Sequence, residues 1–197
     1  MLDPLVFKKL DLVWGPHQVD CFAAMNNSQL KQFVSWLPDP FALHADFLSE
    51  EAPEGLLYAF PPFSRVLATL SKMIRESRKA TVVVPFWPAR PFWPVLLPLL
   101  TDWPILLPLN SMSLPRGIFD PEVQVPVIQL LACSISGNQQ DRKAFQKMRS
   151  STACEPTSSI ALASRRRFES MNGLFASTRC SELLALIQLP YTPSRAT

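Results

Sequence analysis

Short apolar runs alternate with amphipathic segments over the first 110 residues of the chain. Residues 65–79 predict a helix, because Val66, Leu70 and Met73 fall on one face and the charged side chains fall on the others. Residues 81–86 are apolar throughout and predict a central strand that is buried on both faces. Weaker patterns predict strands at 18–23, 56–60 and 105–109, helices at 3–13 and 92–100, and helical turns at 29–36.

The alternation of strand and helix predicts an α/β domain over residues 1–110. Its expected architecture is a compact, doubly wound parallel sheet with helices on both faces. Residues 111–135 are punctuated by prolines and predict an extended strap, in which residues 127–134 form a strand or a helical turn. Residues 136–197 are rich in Ser, Thr, Gln and Arg, and we expect a basic, largely flexible tail that is poorly ordered on its own.

Charge is distributed unevenly along the chain. Residues 138–197 contain nine Lys or Arg and four Asp or Glu, whereas residues 1–137 contain ten and twelve. The basic tail can therefore contact DNA or RNA, and a solvated basic tail is the alternative interpretation. Four cysteines without metal-ligand spacing indicate reduced thiols in an intracellular protein, nuclear or cytoplasmic, without a metal site. The apolar run at 95–109 is broken by prolines and an aspartate, which argues against a membrane partner.

Polar and small residues follow the first predicted strand. Asp20 stands in the strand with Phe22 and Ala23, and Asn27 comes four residues later. An acidic side chain at such a strand end can hydrogen-bond a ribose or an amino-acid group of a ligand, and small residues let the ligand approach the backbone. The alternative is a plain strand end followed by an asparagine turn.

Aromatic residues follow the second and third of the main strands. Phe60-Pro61-Pro62-Phe63, here called the Pro-Pro loop, is stiff and can stack on an extruded base; an aromatic plug in the core is the alternative. The run that contains Trp87, Arg90 and Trp93 can contact phosphate or stack on a base, and simple packing is equally compatible with it. His17 and His44 are expected at the surface, so no Ser/His/Asp or Cys/His arrangement is predicted.

Taken in order, these motifs resemble the phage-type DNA adenine methyltransferase domain. They are more similar still to its degenerate version in the polyprotein of DIRS-type retrotransposons, between the RNase H region and the tyrosine recombinase. The similarity covers residues 3–110 well and extends faintly to 150. The segments that carry it are Trp14-Gly15-Pro16, Val19-Asp20-Cys21-Phe22-Ala23, Asn27, Phe33-Val34-Ser35-Trp36, Pro38-Asp39-Pro40, Asp46, Tyr58-Ala59 with the Pro-Pro loop, and 82–93.

The resemblance implies a Rossmann-like domain with S-adenosylmethionine as its cofactor. By the resemblance, the cofactor side comprises Asp20, Phe22, Ala23, Asn27 and Asp46, and the Pro-Pro loop matches the catalytic loop. The active form of that loop begins with Asn or Asp, whose side chain accepts a hydrogen bond from the target amino group. Phe60 has no acceptor, and positioning of this kind is worth several kcal/mol of barrier in enzymes. Adenine methylation is therefore expected to be nearly abolished.

We therefore interpret the chain as a catalytically inactive, methyltransferase-like module derived from a retroelement and associated with nucleic acid. Other parts of the retroelement polyprotein are its further expected partners, and the chain is expected to be either a fragment of that polyprotein or a host gene derived from one. One alternative is an active S-adenosylmethionine-dependent DNA adenine methyltransferase with an unusual loop. A second alternative is a decayed open reading frame without function.

Overall fold

The structure is a computed structural model that describes residues 1–109, 111–112 and 128–152, the last four without their side chains. The described part is a mixed α/β fold built on one six-stranded, mostly parallel sheet. Its strands are β1 (Val19–Ala23), β2 (Gln32–Ser35), β3 (Leu56–Ala59), β4 (Lys79–Pro85), β5 (Ile105–Leu106) and β6 (Leu130–Ser136). Its helices are α1 (Pro4–Trp14), α2 (Val66–Arg75), α3 (Trp93–Leu96) and α4 (Gln139–Thr152). Short 3-10 turns cover Phe63–Arg65 and Leu97–Leu99.

The strand order is β2-β1-β3-β4-β6-β5. The first four strands in this order are parallel, and β6 runs antiparallel to both of its neighbours. The carboxyl ends of β1, β2, β3 and β4 therefore meet at one edge of the sheet. In open α/β sheets, this is the edge where ligands bind.

Helices cover both faces of the sheet, as the sequence predicted. Apolar side chains of α2, α3 and α4 pack with alternate sheet residues such as Val82 and Val84 on one face. On the other face, Val6, Phe7 and Leu10 of α1 pack with Tyr58 and Val83. Side chains alternate across a strand, so one apolar strand such as β4 contributes to both cores.

The N-terminal helix begins and ends for local reasons. Asp3 is its N-cap, and its Oδ1 accepts hydrogen bonds from the backbone of Leu5 at 2.8 Å and Val6 at 3.2 Å. Pro4 occupies the first helical position, where a missing N–H has no cost. Gly15 ends the helix, and Pro16 follows it in the turn that leads to β1.

Three predicted elements differ from the structure. Residues 29–36 contain strand β2 instead of helical turns, because Phe33 and Val34 are buried by pairing with β1. The helix predicted at 92–100 is only one α-helical turn and a 3-10 turn, since Pro98 interrupts the hydrogen-bond ladder. Helix α4 lies at the start of the predicted tail and packs its Phe145 into the core.

The sheet also extends past the predicted domain end at residue 110. Strand β6 comes from the end of the predicted strap and continues to Ser136, and it lies between β4 and β5. All of its pairing with β4, from Lys79↔Ser136 to Pro85↔Leu130, is antiparallel. Residue 110, residues 113–127 of the strap and residues 153–197 of the tail lie outside the described residues.

Candidate functional site

A cavity opens at the carboxyl ends of β1 and β3, on the face of the sheet that α1 covers. The two strands are neighbours in the sheet, and Asp20 is the register partner of Tyr58. The cavity has a volume of about 310 Å³. It is lined by Met1, Leu2, Asp20, Phe22, Asn27, Gln29, Tyr58, Phe60, Pro61, Pro62, Phe63 and Met112.

Asp20 is the carboxylate of this cavity, and it is only 3% exposed. Its Oδ1 accepts a hydrogen bond from the backbone of Phe22 at 3.3 Å, and its Oδ2 accepts one from the backbone of Gln29 at 3.1 Å. Burial raises the pKa of Asp20 to about 6, although both backbone donors oppose the rise. Two backbone bonds leave part of the acceptor capacity of a carboxylate for a ligand.

Tyr58 was not predicted as a site residue, yet its side chain lines the cavity beside Asp20. The residue is 1% exposed, and its hydroxyl has no hydrogen-bond partner among the described residues. Burial, and to a lesser extent the Asp20 carboxylate, raises the pKa of Tyr58 well above its ordinary value. The strand alternation is the signal that points to it, because Tyr58 and Phe60 are two residues apart and share a face.

The Pro-Pro loop forms one wall of the cavity. Pro61 is buried, Pro62 is exposed, and the loop turns directly into the 3-10 turn at Phe63–Arg65. The rings of Phe60 and Phe63 are 6.4 Å apart at their centroids. Phe60 lines the cavity, and its phenyl ring offers no hydrogen-bond acceptor there.

Trp87 and Arg90 continue the aromatic surface beyond the Pro-Pro loop. Trp87 meets Phe63 edge-on at 5.3 Å between centroids, and the Arg90 guanidinium lies 5.4 Å from the centroid of the Trp87 ring. Arg90 is exposed and Trp87 is partly exposed. Trp93, predicted together with Trp87 and Arg90 to contact nucleic acid, is only 5% exposed and packs against Phe86 in the core. Its ring is therefore not available for stacking on a base.

The remaining predicted cofactor residues are spread around the edge. Asn27 lines the cavity, but its Oδ1 accepts a hydrogen bond from the backbone of Ala24 at 2.7 Å, as in an asparagine turn. Ala23 is buried at the end of β1 and is not part of the lining. Asp46 also lies outside the lining. Its carboxylate accepts hydrogen bonds from the backbone of Leu48 at 3.1 Å and the hydroxyl of Ser49 at 2.6 Å, which stabilises a local turn.

A second polar cluster lies under the same helix α1 and corrects the prediction that His17 is at the surface. The His17 side chain is fully buried, with Nδ1 at 2.6 Å from Asp11 Oδ1 and Nε2 at 2.7 Å from Thr81 Oγ1. Burial lowers the pKa of His17 despite the opposing Asp11 carboxylate, which favours the neutral ring. Nδ1–H then donates to Asp11, and Nε2 accepts from the Thr81 hydroxyl.

This Asp11–His17–Thr81 cluster has the residue types of a nucleophilic triad but not its accessibility. Thr81 is 0% exposed, and none of the three residues lines the cavity. The backbone N–H of His17 also donates to Asp11 Oδ1 at 2.8 Å, so the cluster joins the C-terminal end of α1 to strand β4. We interpret it as a structural connection.

The chain has no match among protein-family models or among curated proteins. Within the described ranges, no three His, Cys, Asp or Glu side chains are grouped so that they could hold a metal ion. In the same part of the chain, no helix is long and apolar enough to cross a membrane.

Proposed function

We propose that the chain is a methyltransferase-like module derived from a DIRS-type retroelement, which associates with nucleic acid and does not methylate adenine. The observation that carries the proposal is that Asp20 and the Pro-Pro loop line one cavity at the carboxyl edge of the sheet. The order of these motifs along the chain is the basis of the resemblance. Their convergence in space is what a shared site requires.

The strand order supports the same proposal. The resemblance implies a Rossmann-like parallel sheet, and β2, β1, β3 and β4 are parallel neighbours in this order. Strand β6 is reversed and lies between β4 and the edge strand β5. The cavity also lies on the side of the sheet where such folds bind their ligands.

Some of the residues at this edge are suited to bind S-adenosylmethionine. Asp20 can accept a hydrogen bond from an ammonium or hydroxyl group, and Phe22 and Phe60 offer apolar contact in the same cavity. The side-chain carbonyl of Asn27 already accepts a hydrogen bond from the backbone of Ala24, and Asp46 lies outside the lining. The cofactor, when bound, would supply the methyl group, and Asp20 is the residue that would orient it.

The inactivity of the module rests on Phe60. A target amino group needs an acceptor at this position, and a phenyl ring stabilises only a stacked base. Nucleic-acid association rests on the partly exposed Trp87 and the exposed Arg90, which together offer a ring and a guanidinium for a base and a phosphate.

The test combines a methyl-transfer assay with a binding assay. The purified chain is mixed with labelled S-adenosylmethionine and unmethylated DNA, and we expect no transfer above background. Transfer that disappears in a Pro61→Ala variant would overturn the assignment as an inactive module. Retention of a single-stranded oligonucleotide at low salt is expected for the chain and is expected to weaken in Trp87→Ala and Arg90→Ala variants.

A matched control separates surface contact from a general loss of charge. Arg75 is also exposed, but it lies on α2 and pairs with Glu76 at 3.0 Å. Arg75→Ala should leave oligonucleotide retention unchanged. If the chain retains no oligonucleotide and calorimetry detects no S-adenosylmethionine binding, the decayed reading frame is the better interpretation.

A further inference from the structure

A second tryptophan is paired with an arginine at the carboxyl edge of the sheet. Trp36 directly follows β2, is 58% exposed, and has the Arg65 guanidinium 5.2 Å from the centroid of its ring. Arg65 is also exposed and ends the 3-10 turn that follows the Pro-Pro loop. The arrangement repeats that of Trp87 and Arg90, in which the corresponding distance is 5.4 Å. We call Trp36–Arg65 the first pair and Trp87–Arg90 the second pair.

The two pairs lie on either side of the Pro-Pro loop. Trp36 follows β2, the loop follows β3, and Trp87 comes two residues after β4. Because β1 and β3 separate β2 from β4, three strand spacings of about 4.8 Å place the ends of β2 and β4 about 14 Å apart. Phe63 of the loop meets Trp87 edge-on at 5.3 Å between centroids, so aromatic side chains continue from the loop to the second pair.

The chemistry of the pairs favours a strand of nucleic acid. A tryptophan ring offers a face on which a base can stack, and the arginine beside it offers a planar fork of N–H donors to phosphate. Trp36 remains more than half exposed although a guanidinium lies over its ring, so part of the ring is open to a base. Bases in a single strand can be splayed out onto such rings, whereas the base faces of a duplex are covered by their neighbours.

Both arginines are available for phosphate, and one acidic side chain acts on the first pair. In the described part of the chain, neither Arg65 nor Arg90 forms a salt bridge. Hydrogen bonds from Ser49 and Leu48 and, to a smaller extent, the charge of Arg65 lower the pKa of Asp46. The Asp46 carboxylate is therefore close enough to Arg65 to weaken a phosphate contact there.

We propose that the two pairs form one continuous site for single-stranded nucleic acid, which crosses the carboxyl edge of the sheet over the Pro-Pro loop. One base stacks on Trp36 and a later base stacks on Trp87, with phosphates at the neighbouring arginines. The inference rests on the proposed function and deepens it. It makes the strand single and adds the first pair, to which the sequence assigned no contact with nucleic acid.

The first test measures binding of the full chain to a fluorescent single-stranded oligodeoxynucleotide of mixed sequence and about 16 nucleotides, by polarisation. Trp36→Leu removes the stacking ring and should weaken binding about tenfold, whereas Trp36→Phe keeps an aromatic face and should retain most of the affinity. Leu37→Ala is the matched control, because Leu37 is 65% exposed beside Trp36 but has no ring, and it should bind like the wild type. The same oligonucleotide annealed to its complement should bind at least about tenfold more weakly.

The salt dependence of the same binding tests the phosphate contacts. For single strands, the logarithm of the affinity falls with the logarithm of the salt concentration, with a slope of about −0.7 for each phosphate contact. Arg65→Gln and Arg90→Gln should each reduce the magnitude of the slope by about 0.7, and Arg75→Gln on α2 should leave it unchanged. Asp46→Asn should tighten binding about threefold, because it removes the negative charge that acts on Arg65. No gain in affinity would contradict a phosphate at Arg65.

The inference is overturned if Trp36→Leu and Arg65→Gln bind like the wild type, or if the duplex binds as tightly as the single strand. It is also overturned if Leu37→Ala weakens binding as much as Trp36→Leu, which would indicate a general apolar contact. If binding depends on the second pair but not on the first, the proposed function stands and the continuous site is excluded. If the chain retains no oligonucleotide, the proposed function itself fails. Circular dichroism checks that each variant is folded.

An oligoribonucleotide of the same sequence identifies the kind of strand. Stacking on a ring and contact with a phosphate do not require a 2′-hydroxyl, so we expect DNA and RNA to bind within about threefold of each other. A preference for one of them that is lost in Trp36→Leu would also support the continuous site and would name its ligand. A preference that is unchanged in Trp36→Leu and Arg65→Gln would place recognition of the strand elsewhere and contradict the inference.

Discussion

Two polar clusters under the same helix α1 differ in how completely their hydrogen bonds are satisfied. In the Asp11–His17–Thr81 cluster, each ring nitrogen of His17 has a partner within 2.7 Å, and none of the three residues lines the cavity. In the Asp20–Tyr58 pair, the hydroxyl of Tyr58 has no partner in the described part of the chain, and both residues line the cavity.

This contrast gives a physical criterion for telling a structural cluster from a candidate binding site. A cluster with a buried histidine and satisfied ring nitrogens stabilises the fold and leaves neither nitrogen for a ligand, although its residue types resemble those of a catalytic triad. An unsatisfied pair beside a cavity carries a cost that a ligand can remove. Residue types alone therefore do not separate the two clusters.

The largest effect is expected from removal of the central residue of the satisfied cluster. His17→Ala leaves a cavity and deprives the Asp11 carboxylate and the Thr81 hydroxyl of their imidazole partners. We therefore expect a loss of about 3 kcal/mol in the free energy of unfolding. Unfolding in urea measures this loss. His44→Ala is the matched control, because His44 is only partly buried and its ring approaches one backbone carbonyl at 3.5 Å. Equal losses in the two variants would contradict the structural role of the cluster.

The unsatisfied pair should give the wild-type protein a distinctive pH dependence. The folded state holds the Asp20 proton more tightly than the unfolded chain, since burial raises the pKa from 3.8 to about 6. This contribution to stability is present below pH 3.8 and is lost as the pH rises through 6, a change of about 3 kcal/mol. The stability difference between wild type and Asp20→Asn should therefore fall by about this amount between pH 4 and pH 7.5.

The same experiment contains its control. His17 is present in both proteins, so its own pH dependence cancels in the difference. Asp46→Asn should give a flat difference above pH 4, because hydrogen bonds from Ser49 and Leu48 lower the pKa of Asp46. A flat difference for Asp20→Asn as well would mean that Asp20 titrates like a solvated carboxyl.

A smaller effect is expected at the far side of the satisfied cluster. Thr81→Val keeps the shape of the side chain but leaves His17 Nε2 buried without a donor. The expected loss in the free energy of unfolding is about 2 kcal/mol. Thermal unfolding at pH 7.5 measures it, and Thr69→Val is the control, because the Thr69 hydroxyl donates only to a helix carbonyl, that of Arg65 at 3.0 Å.

The smallest expected change in the free energy of unfolding is a gain and not a loss. Tyr58→Phe removes a hydroxyl that has no partner in the described structure, and we expect the ligand-free protein to be unchanged or more stable by up to about 1 kcal/mol. The same unfolding measurement tests it. A loss comparable to that of Thr81→Val would show that the hydroxyl has a partner, and the contrast between the two clusters would disappear.

Much of the sheet could be predicted from the sequence, because its strands are apolar runs with clear limits. The strands β1, β3 and β4 and the helix α2 all follow from such patterns. Strand β2 could not be predicted, since its four residues become strand only through pairing with β1. Strand β6 was expected as either a strand or a helical turn, and its position inside the sheet depends on a pairing with β4 that is distant in sequence.

The candidate site was predictable to the extent that strand ends meet at one edge. Asp20, Phe22, Asn27 and the Pro-Pro loop all line the cavity. Trp93 and His17 were not predictable in the same way, because burial of each depends on helices that pack from elsewhere in the chain. Lys72 is a further example. The periodicity of residues 65–79 predicts that Lys72 lies on a charged face of the helix, yet it is 2% exposed. Its buried Nζ is compensated by Glu76 at 2.8 Å and by the Glu50 carbonyl.

The position of β6 has a consequence for the order in which the chain can fold. Strand β4 is synthesised about fifty residues before β6. One edge of β4 therefore has no pairing partner until the chain has been synthesised as far as Ser136. That edge belongs to strand β4, in which residues 80–85 are all buried, and an open edge of a buried strand can pair with other chains. Expression of residues 1–110 alone would leave this edge open, so the shortest fragment that completes the sheet must include Ser136.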